Sequence, residues 1–547
     1  MFLMKLNWHK KLAGLGVVAL AAVALTACGG GSSNSSSSKG STNMPKAPYK
    51  VPTASTPAWK KDTRKNQKLT WYVNADWWNK SFGKDMVTKQ IKKDLNVDIK
   101  FVTGDDTKLN TYFASGSMPD LITIFDPNSK VARTANQWAY SLQDLSKAYD
   151  PAFMKDAAKD TLNWYKLSDG KTYGYPSYSN TAADYKSGDI APRDAFVIRK
   201  DVLAAIGDQD FTTPEGFVKG MQAIKEKFPK LIPFGFNDFS GANSSLENVV
   251  QDMLGVPITK DGKFYDRDLD PDYLKWLEAF REVHADGNIS DDSFTDDSNA
   301  FNEKINAGKY ATMMLGSDVN HGTNLQTWMS KDKNKAYEAI EGISSTEGRE
   351  RTLSQAGISG FTITYVSNKT KNPSKATQVL EYLLSKKGQM LTNYGIEGDT
   401  YTQDANGEVK WTAKAAKVQS EDASAWQNQY RIGEFFLMSH DKWKALNKDS
   451  YVQAVWQMQK WGQKYLTPQF DIENIAPDPG TQESRAYSAI QTNWSTTMVS
   501  LIRAKDKAEF DSVLNKYKQF QKDNNIDQIN KTRNEKIKEN QKKLGEN

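Results

Sequence analysis

Between Gln67 and Phe125 the hydrophobic pattern switches between two periods, and this switching restricts the folds open to the chain. Lys68-Leu69-Thr70-Trp71-Tyr72-Val73 is a short β-rich run, and Asn74-Ala75-Asp76 opens a loop after it. The next segment carries Met86, Ile91 and Leu95 on one helical face. Val97, Ile99 and Phe101 then alternate along a strand, Thr107 to Ala114 reads as a helix, and Asp120 to Phe125 reads as a buried strand. A β-α-β-α-β order implies a parallel sheet with helices on its faces. Ligands of such sheets bind beyond the carboxyl ends of the strands. Asp76, Trp77, Trp78, Phe125 and Asp126 all lie just past strand ends.

The mixed pattern continues. Phe196 to Arg199 and Tyr310 to Leu315 read as strands, and Tyr273 to Phe280 as an amphipathic helix. Thr213-Pro214-Glu215 opens another helix, with Thr213 at the cap, Pro214 at the first turn and Glu215 favouring the positive end of the dipole. A further helix follows Pro373. From Ala423 onward the chain is mostly helical, and Lys531 to Asn547 reads as a charged, fraying end.

The N-terminus has a separate logic. Lys5, Lys10 and Lys11 precede an apolar run, Leu12 to Ala24, shorter than the ~20 residues a spanning helix needs. This is the pattern of a signal peptide, residues 1–27. It ends in Leu25-Thr26-Ala27-Cys28, and Cys28 is the only cysteine in 547 residues. The segment resembles a bacterial lipobox, which implies that Cys28 is lipidated and becomes the first residue of the mature chain. Two acyl chains give stable anchoring where one is marginal. Residues 28–66 read as a flexible Gly/Ser stretch continued by a stiffer Pro-spaced part. The body is 67–547.

One cysteine excludes an intrachain disulfide framework, and four histidines argue against a His-rich metal centre. Without the three signal lysines the chain has 69 basic and 66 acidic residues, so no nucleic-acid footprint follows. Mean hydropathy of −0.68 excludes a polytopic membrane protein. The 15 Trp, 23 Tyr and 23 Phe are rich for a soluble chain.

Several segments, in order, resemble landmarks of the extracellular solute-binding proteins of family 1. The branch is the large lipoproteins that serve oligosaccharide ABC importers of Gram-positive bacteria. The segments are Leu109 to Ile122, with Ala114-Ser115-Gly116 and Pro119-Asp120; Asp169 to Pro176; Val197 to Leu203; Thr213 to Phe217; Glu303 to Tyr310; Asn372-Pro373; and Tyr394 to Gly398. The resemblance implies an α/β, two-lobed periplasmic-binding-protein-like (type II) fold, with mixed sheets flanked by helices and a ligand cleft between lobes. Lobe 1 is placed at roughly 67–185 plus part of 361–425, and lobe 2 at roughly 190–360 plus part of the C-terminal helical region. The resemblance also implies hinge closure on an oligosaccharide, delivery to permease subunits, and a monomer on the outer face of the membrane. The same scaffold also suits a peptide or another solute. A surface carbohydrate-active enzyme is the remaining alternative, but no G-x-S-x-G, H-E-x-x-H or P-loop pattern is present.

Many members of that branch carry an EF-hand-like calcium loop. Here the corresponding place, Lys225 to Pro233, lacks the Asp/Asn oxygens and the turn glycine, so no metal or other cofactor is expected. The alternation Asp266, Asp268, Asp270, Asp272 reads as a solvated loop.

Sugars present flat C–H faces to aromatic rings and hydroxyls to carboxylates, amides and Arg. The candidate ligand contacts on these grounds are Asp76, Trp77, Trp78, Asp126, Tyr178, Arg199, Asn237, Asp318, Trp328 and Glu397. Two adjacent Trp on a loop cannot both enter the core, so one of Trp77 and Trp78 is expected in the cleft. Capping for Asp126 and an ion pair for Arg199 are equal alternatives. The set Trp411, Trp426, Trp443, Trp456 and Trp461 falls mostly at helical positions, and most of its members read as core. His321 reads as an isolated loop residue.

Overall fold

The computed structural model describes residues 44–127, 129–188, 190–237, 245–353, 357–447 and 452–545. The signal segment and Cys28 lie outside them, as does Asp238. Along the chain come Gln67–Val73 (β1), helix Met86–Leu95, Val97–Thr103 (β2), helix Asp106–Ser115 and Leu121–Ile124 (β3). Gly174–Pro176 (β4) precedes the first crossing. Ala195–Arg199 (β5), Ile232–Phe236 (β6), the hairpin Thr259–Lys260 (β7) and Lys263–Phe264 (β8), Tyr310–Leu315 (β9) and Tyr337–Ala339 (β10) follow. The chain then returns through Ile363–Val366 (β11) and the hairpin Tyr401–Gln403 (β12) and Val409–Trp411 (β13).

Two sheets result. The first has the order β2-β1-β3-β11-β4, with β1 parallel to β2 and β3. The second has the order β10-β5-β9-β6. Local chemistry sets the element ends. Asp85 and Asp105 accept the Thr88 and Lys108 N–H groups at two helix starts, and Asn96 and Gly116 take left-handed conformations at the corresponding ends. Thr213 caps Pro214–Lys227 as its sequence implies, accepting the Gly216 N–H at 3.2 Å. Burial alternates along β2, where Val97, Ile99 and Phe101 face the core.

Each lobe has its own core. In lobe 1, Trp71, Val87, Ile91, Leu380 and Leu383 pack with Phe435, Leu437 and Met438, so the C-terminal part of this lobe runs past residue 425. In lobe 2, Phe196, Phe217, Phe234, Trp276 and Phe280 pack with Trp494, Met498 and Tyr517. Burying such large apolar side chains is the main favourable contribution to folding.

Four sequence expectations change. The charged C-terminal segment does not fray: Ile526–Leu544 is a helix whose Ile529 and Ile537 are fully buried, and Asn540 donates to the Asp471 and Glu473 carbonyls. Its few apolar residues fall on one face, which the high overall charge conceals. The stretch from Met44 to Asp62, read as linker, lies against lobe 1: Tyr149 Oη donates to the Pro45 carbonyl, Ala58 is buried, and Asp62 meets the buried Lys375 at 2.9 Å. The Asp266–Asp272 stretch is not a solvated loop. Asp270 caps helix Pro271–Ala285 and pairs with Arg349, and Asp272 is fully buried. His321 lies in helix Asp318–Lys331, buried, with Nδ1 2.7 Å from the Asn302 Oδ1. Among the described residues no helix is long and apolar enough to cross a membrane, and no group of three or more His, Cys, Asp or Glu is arranged to hold a metal ion.

Candidate functional site

The carboxyl ends of β1, β3 and β4 and the start of β11 meet at one edge of lobe 1. The tight turn after β1, where the Trp78 N–H reaches the Ala75 carbonyl at 3.1 Å, sends its two tryptophans opposite ways. Trp78 is 3% exposed and packs against Phe101 and Phe435. Trp77 is 64% exposed. The buried guanidinium of Arg431 fixes this loop: it donates to the Ser81 carbonyl at 2.5 Å and the Asn79 carbonyl at 2.7 Å, and lies 5.2 Å from the Trp78 ring centre. Burial holds its pKa below the ordinary arginine value, and Asp85 opposes that shift.

Trp77 belongs to an aromatic shelf centred on Phe436. Its ring stacks on Phe436 at 6.3 Å and meets Phe125 edge-on at 5.6 Å. Phe361, 50% exposed, lies 5.3 Å from Phe125 and 6.0 Å from Phe436. Tyr178 stacks on the same ring at 6.2 Å, with Lys444 Nζ 4.1 Å from its own ring centre. Its φ of 55° is a left-handed value that a tyrosine adopts only when its surroundings enforce it. The Tyr178 N–H is tied to the Ser439 carbonyl at 2.6 Å.

Beside the shelf a cavity of about 600 Å³ opens between the lobes. This is within the range of small-ligand sites. Lobe 1 contributes Tyr178, Tyr394, Trp411 and Trp426; lobe 2 contributes Arg193, Ser317, Val319, Asn320 and Gln459. Trp411 is 5.5 Å from Tyr394 and 5.3 Å from Trp426, so the lobe 1 wall is a continuous run of rings. On the lobe 2 wall, Ser317 has φ of 61° and donates its N–H to Asp194 Oδ1 at 3.0 Å. The Asp318 N–H donates to the Arg193 carbonyl at 2.6 Å. Burial pushes Asp194 up to about 6. Asp318, also buried and close to Asp194, is raised well above the carboxylate range.

Of the sequence candidates, Trp77 and Tyr178 stand on the shelf, and Asp318 lies directly behind the cavity wall. Asp76 and Asp126 are exposed near the shelf. The helical turn after Asp126 is capped by Ser129, whose N–H reaches the Asp126 carbonyl at 3.2 Å. Trp78 is a core residue. Arg199 and Trp328 are away from the cleft: β5 runs antiparallel to β9, so its carboxyl end points to the far end of the sheet. There Arg199 donates to Asp201 and to the Gly308 carbonyl and lies 5.3 Å from the Trp328 ring centre. Asn237 is at the cleft end of β6, but its amide clamps the Gly316 backbone at 2.8 and 3.1 Å. Glu397 is exposed in the turn before β12, and bridges to Tyr401 through the backbone.

Sequence reasoning missed Arg193, Phe361, Tyr394, Phe436, Lys444 and Gln459; Trp411 and Trp426, from the set read as mostly core, do pack half-buried against the lobe 1 core and line the cavity as well. Spacing alone cannot separate a ring that lines a cavity from one that fills a core.

Residues 86–416 match the family model described as bacterial extracellular solute-binding protein. No curated protein matches the chain. The fold matches an HMO-binding, ABC-transporter-associated solute-binding protein from Bifidobacterium longum infantis at TM-score 0.65 and 14% identity, covering 86% of this chain and 98% of that one. It also matches the ABC-transporter substrate-binding protein FusA of S. pneumoniae in complex with kestose, at TM-score 0.63 and 16% identity, covering 87% and 99%. The calcium-free alginate-binding protein AlgQ2 matches at TM-score 0.62 and 16% identity, with coverage of 87% and 99%. With two lobes, a ring-lined gap between them and a family match over more than half its length, this chain belongs to the bacterial extracellular solute-binding proteins.

Proposed function

We propose that the chain is the substrate-binding subunit of an ABC transporter, that it captures an oligosaccharide between its lobes without cleaving it, and that it delivers the sugar to permease subunits. One observation carries this reading. Among the described residues the large apolar side chains that stand in solvent are Trp77, Phe361 and Val319; Phe361 and Val319 line the cavity, and Trp77 stands on the shelf beside it, joined to Phe361 through Phe125. Exposed apolar groups gathered at one place mark a binding surface. Rings beside hydroxyl-binding groups suit the C–H faces of sugars. The glycans named for the similar structures support the same ligand class. Closure would draw Val319 toward the shelf, and the ligand's greater affinity for the closed form would drive it. We further propose that Cys28 carries the lipid anchor and holds a monomer at the outer face of the cell membrane.

Titration of the mature protein with a glycan panel, followed by tryptophan fluorescence and calorimetry, tests the reading. A ligand of micromolar or tighter affinity is expected. Trp77→Ala should weaken it by about tenfold or more, as removal of a central aromatic anchor does, with an unchanged melting temperature because Trp77 is outside the core. Silence across the whole panel would overturn the proposal. For the anchor, Cys28→Ala should release the protein from the membrane fraction into the medium.

A further inference from the structure

The chain enters lobe 2 at Arg193, just ahead of β5. Because β5 runs antiparallel to β9, with Ala195 opposite Leu315, this end of β5 lies beside Gly316 and Ser317 at the cleft. The backbone there is pinned. The Arg193 carbonyl accepts the Asp318 N–H at 2.6 Å, and Asp194 Oδ1 accepts the Ser317 N–H at 3.0 Å. The Arg193 side chain is half-buried and lines the cavity.

Arg193 differs from arginines buried elsewhere in the fold. Arg199, Arg267, Arg351 and Arg431 each have a carboxylate oxygen at 3.6 Å or less. The Arg193 guanidinium makes no ion pair, hydrogen bond or ring contact among the described residues. Asp194 and Asp318 feel its charge from behind the wall without pairing with it. Burial raises both carboxyl groups, Asp318 well above the ordinary range, so the two offset it by less than two full charges at neutral pH. Lys444, the other cation of the cavity, is met by Asp441 at 3.6 Å and lies over the Tyr178 ring.

A guanidinium has five N–H donors, a fixed charge and no acceptor. A neutral sugar hydroxyl can accept from it but leaves the charge unanswered, which is costly once closure expels the water around it. An oxyanion answers the donors and the charge together, in the bidentate geometry that Arg offers and Lys does not. We infer, on the basis of the glycan reading above, that the oligosaccharide carries an acidic group, a uronate carboxylate or a sulfate ester, and that Arg193 binds it while the rings of the lobe 1 wall receive the apolar faces of the sugar.

Calorimetric titration of the mature protein compares oligogalacturonates and sulfated galacto-oligosaccharides with neutral malto-, xylo- and galacto-oligosaccharides of the same lengths. One acidic series is expected to bind at least about tenfold more tightly than its neutral counterparts, and to weaken as salt rises. Which of the two acidic arms shows the preference identifies the group. Arg193→Gln keeps the backbone carbonyl that holds Asp318 and should leave the melting temperature unchanged. It should weaken the acidic ligand about 30-fold or more, as loss of one partner of a desolvated charge pair does, with little effect on neutral glycans. Arg193→Lys keeps the charge without the fork and should retain part of the preference, which a purely structural role for Arg193 would not produce. Neutral glycans binding as tightly as both acidic series, or acidic binding unchanged in Arg193→Gln, would overturn the inference and leave the glycan reading standing. Binding of no series would overturn both.

Discussion

Trp77 and Trp78 are adjacent in sequence and opposite in role. A side chain's environment depends on which way a turn directs it, and here the direction is set by Arg431, more than 350 positions away. Arg431→Ala should therefore act twice. It leaves the Ser81 and Asn79 carbonyls without their donor, costing roughly 2–4 kcal/mol, and it loosens the loop that presents Trp77. Denaturant melts should show the first effect and ligand titration the second. Unchanged affinity would separate Arg431 from the site. A second residue-scale prediction concerns pH. Glu381 is fully buried, and its Oε2 accepts from the Trp59 indole N–H at 2.5 Å. Burial raises its pKa from 4.5 to about 8, and the charge on Asp150 adds to the shift. In the folded state the proton is retained to higher pH than in the unfolded chain. Stability is thus fully present below about pH 4.5 and declines as pH rises through 8, by roughly 3–5 kcal/mol in all. Glu381→Gln keeps an acceptor for Trp59 and should flatten that dependence in thermal melts between pH 5 and 8.

At the scale of elements, capping residues were legible because capping is local. Thr213 ahead of Pro214 marks a helix start whether or not the rest of the fold is known. The C-terminal helix was not legible, because it is amphipathic only relative to the surface that receives it. It braces the segment 471–478: Asn540 holds two of its carbonyls, and Lys536 and Arg133 both reach Asp478, at 2.8 and 2.5 Å. From that segment Glu473 accepts the Ile358 and Ser359 N–H groups, just ahead of β11, at 2.8 and 2.9 Å. Glu473→Ala strands those donors in a buried place. It should destabilise the protein by roughly 2–4 kcal/mol in denaturant unfolding, and a change under 1 kcal/mol would show the brace to be incidental.

For the whole molecule, the decisive geometry is a gap bounded by two separately cored lobes and spanned by crossing segments. If closure follows ligand binding, small-angle scattering should record a smaller radius of gyration with saturating glycan. An unchanged radius with bound ligand would argue for a rigid site. By itself the sequence determined the β-α-β-α-β order of the first part of the body, the α/β class, the Thr213 cap and the family, because periodicity, capping and landmark order are all local along the chain. It also marked one of Trp77 and Trp78 as a ring for the cleft and Tyr178 as a candidate contact. Only the tertiary structure decided which rings line the gap. Trp411 and Trp426 pack half-buried against the lobe 1 core and also line the cavity, while Arg199, for which an ion pair was the equal alternative, pairs with Asp201 and packs on Trp328 at the far end of an antiparallel strand. The physical reason is that solvent exposure depends on what the rest of the chain places opposite a residue, and in this fold the opposing residue commonly lies more than a hundred positions away.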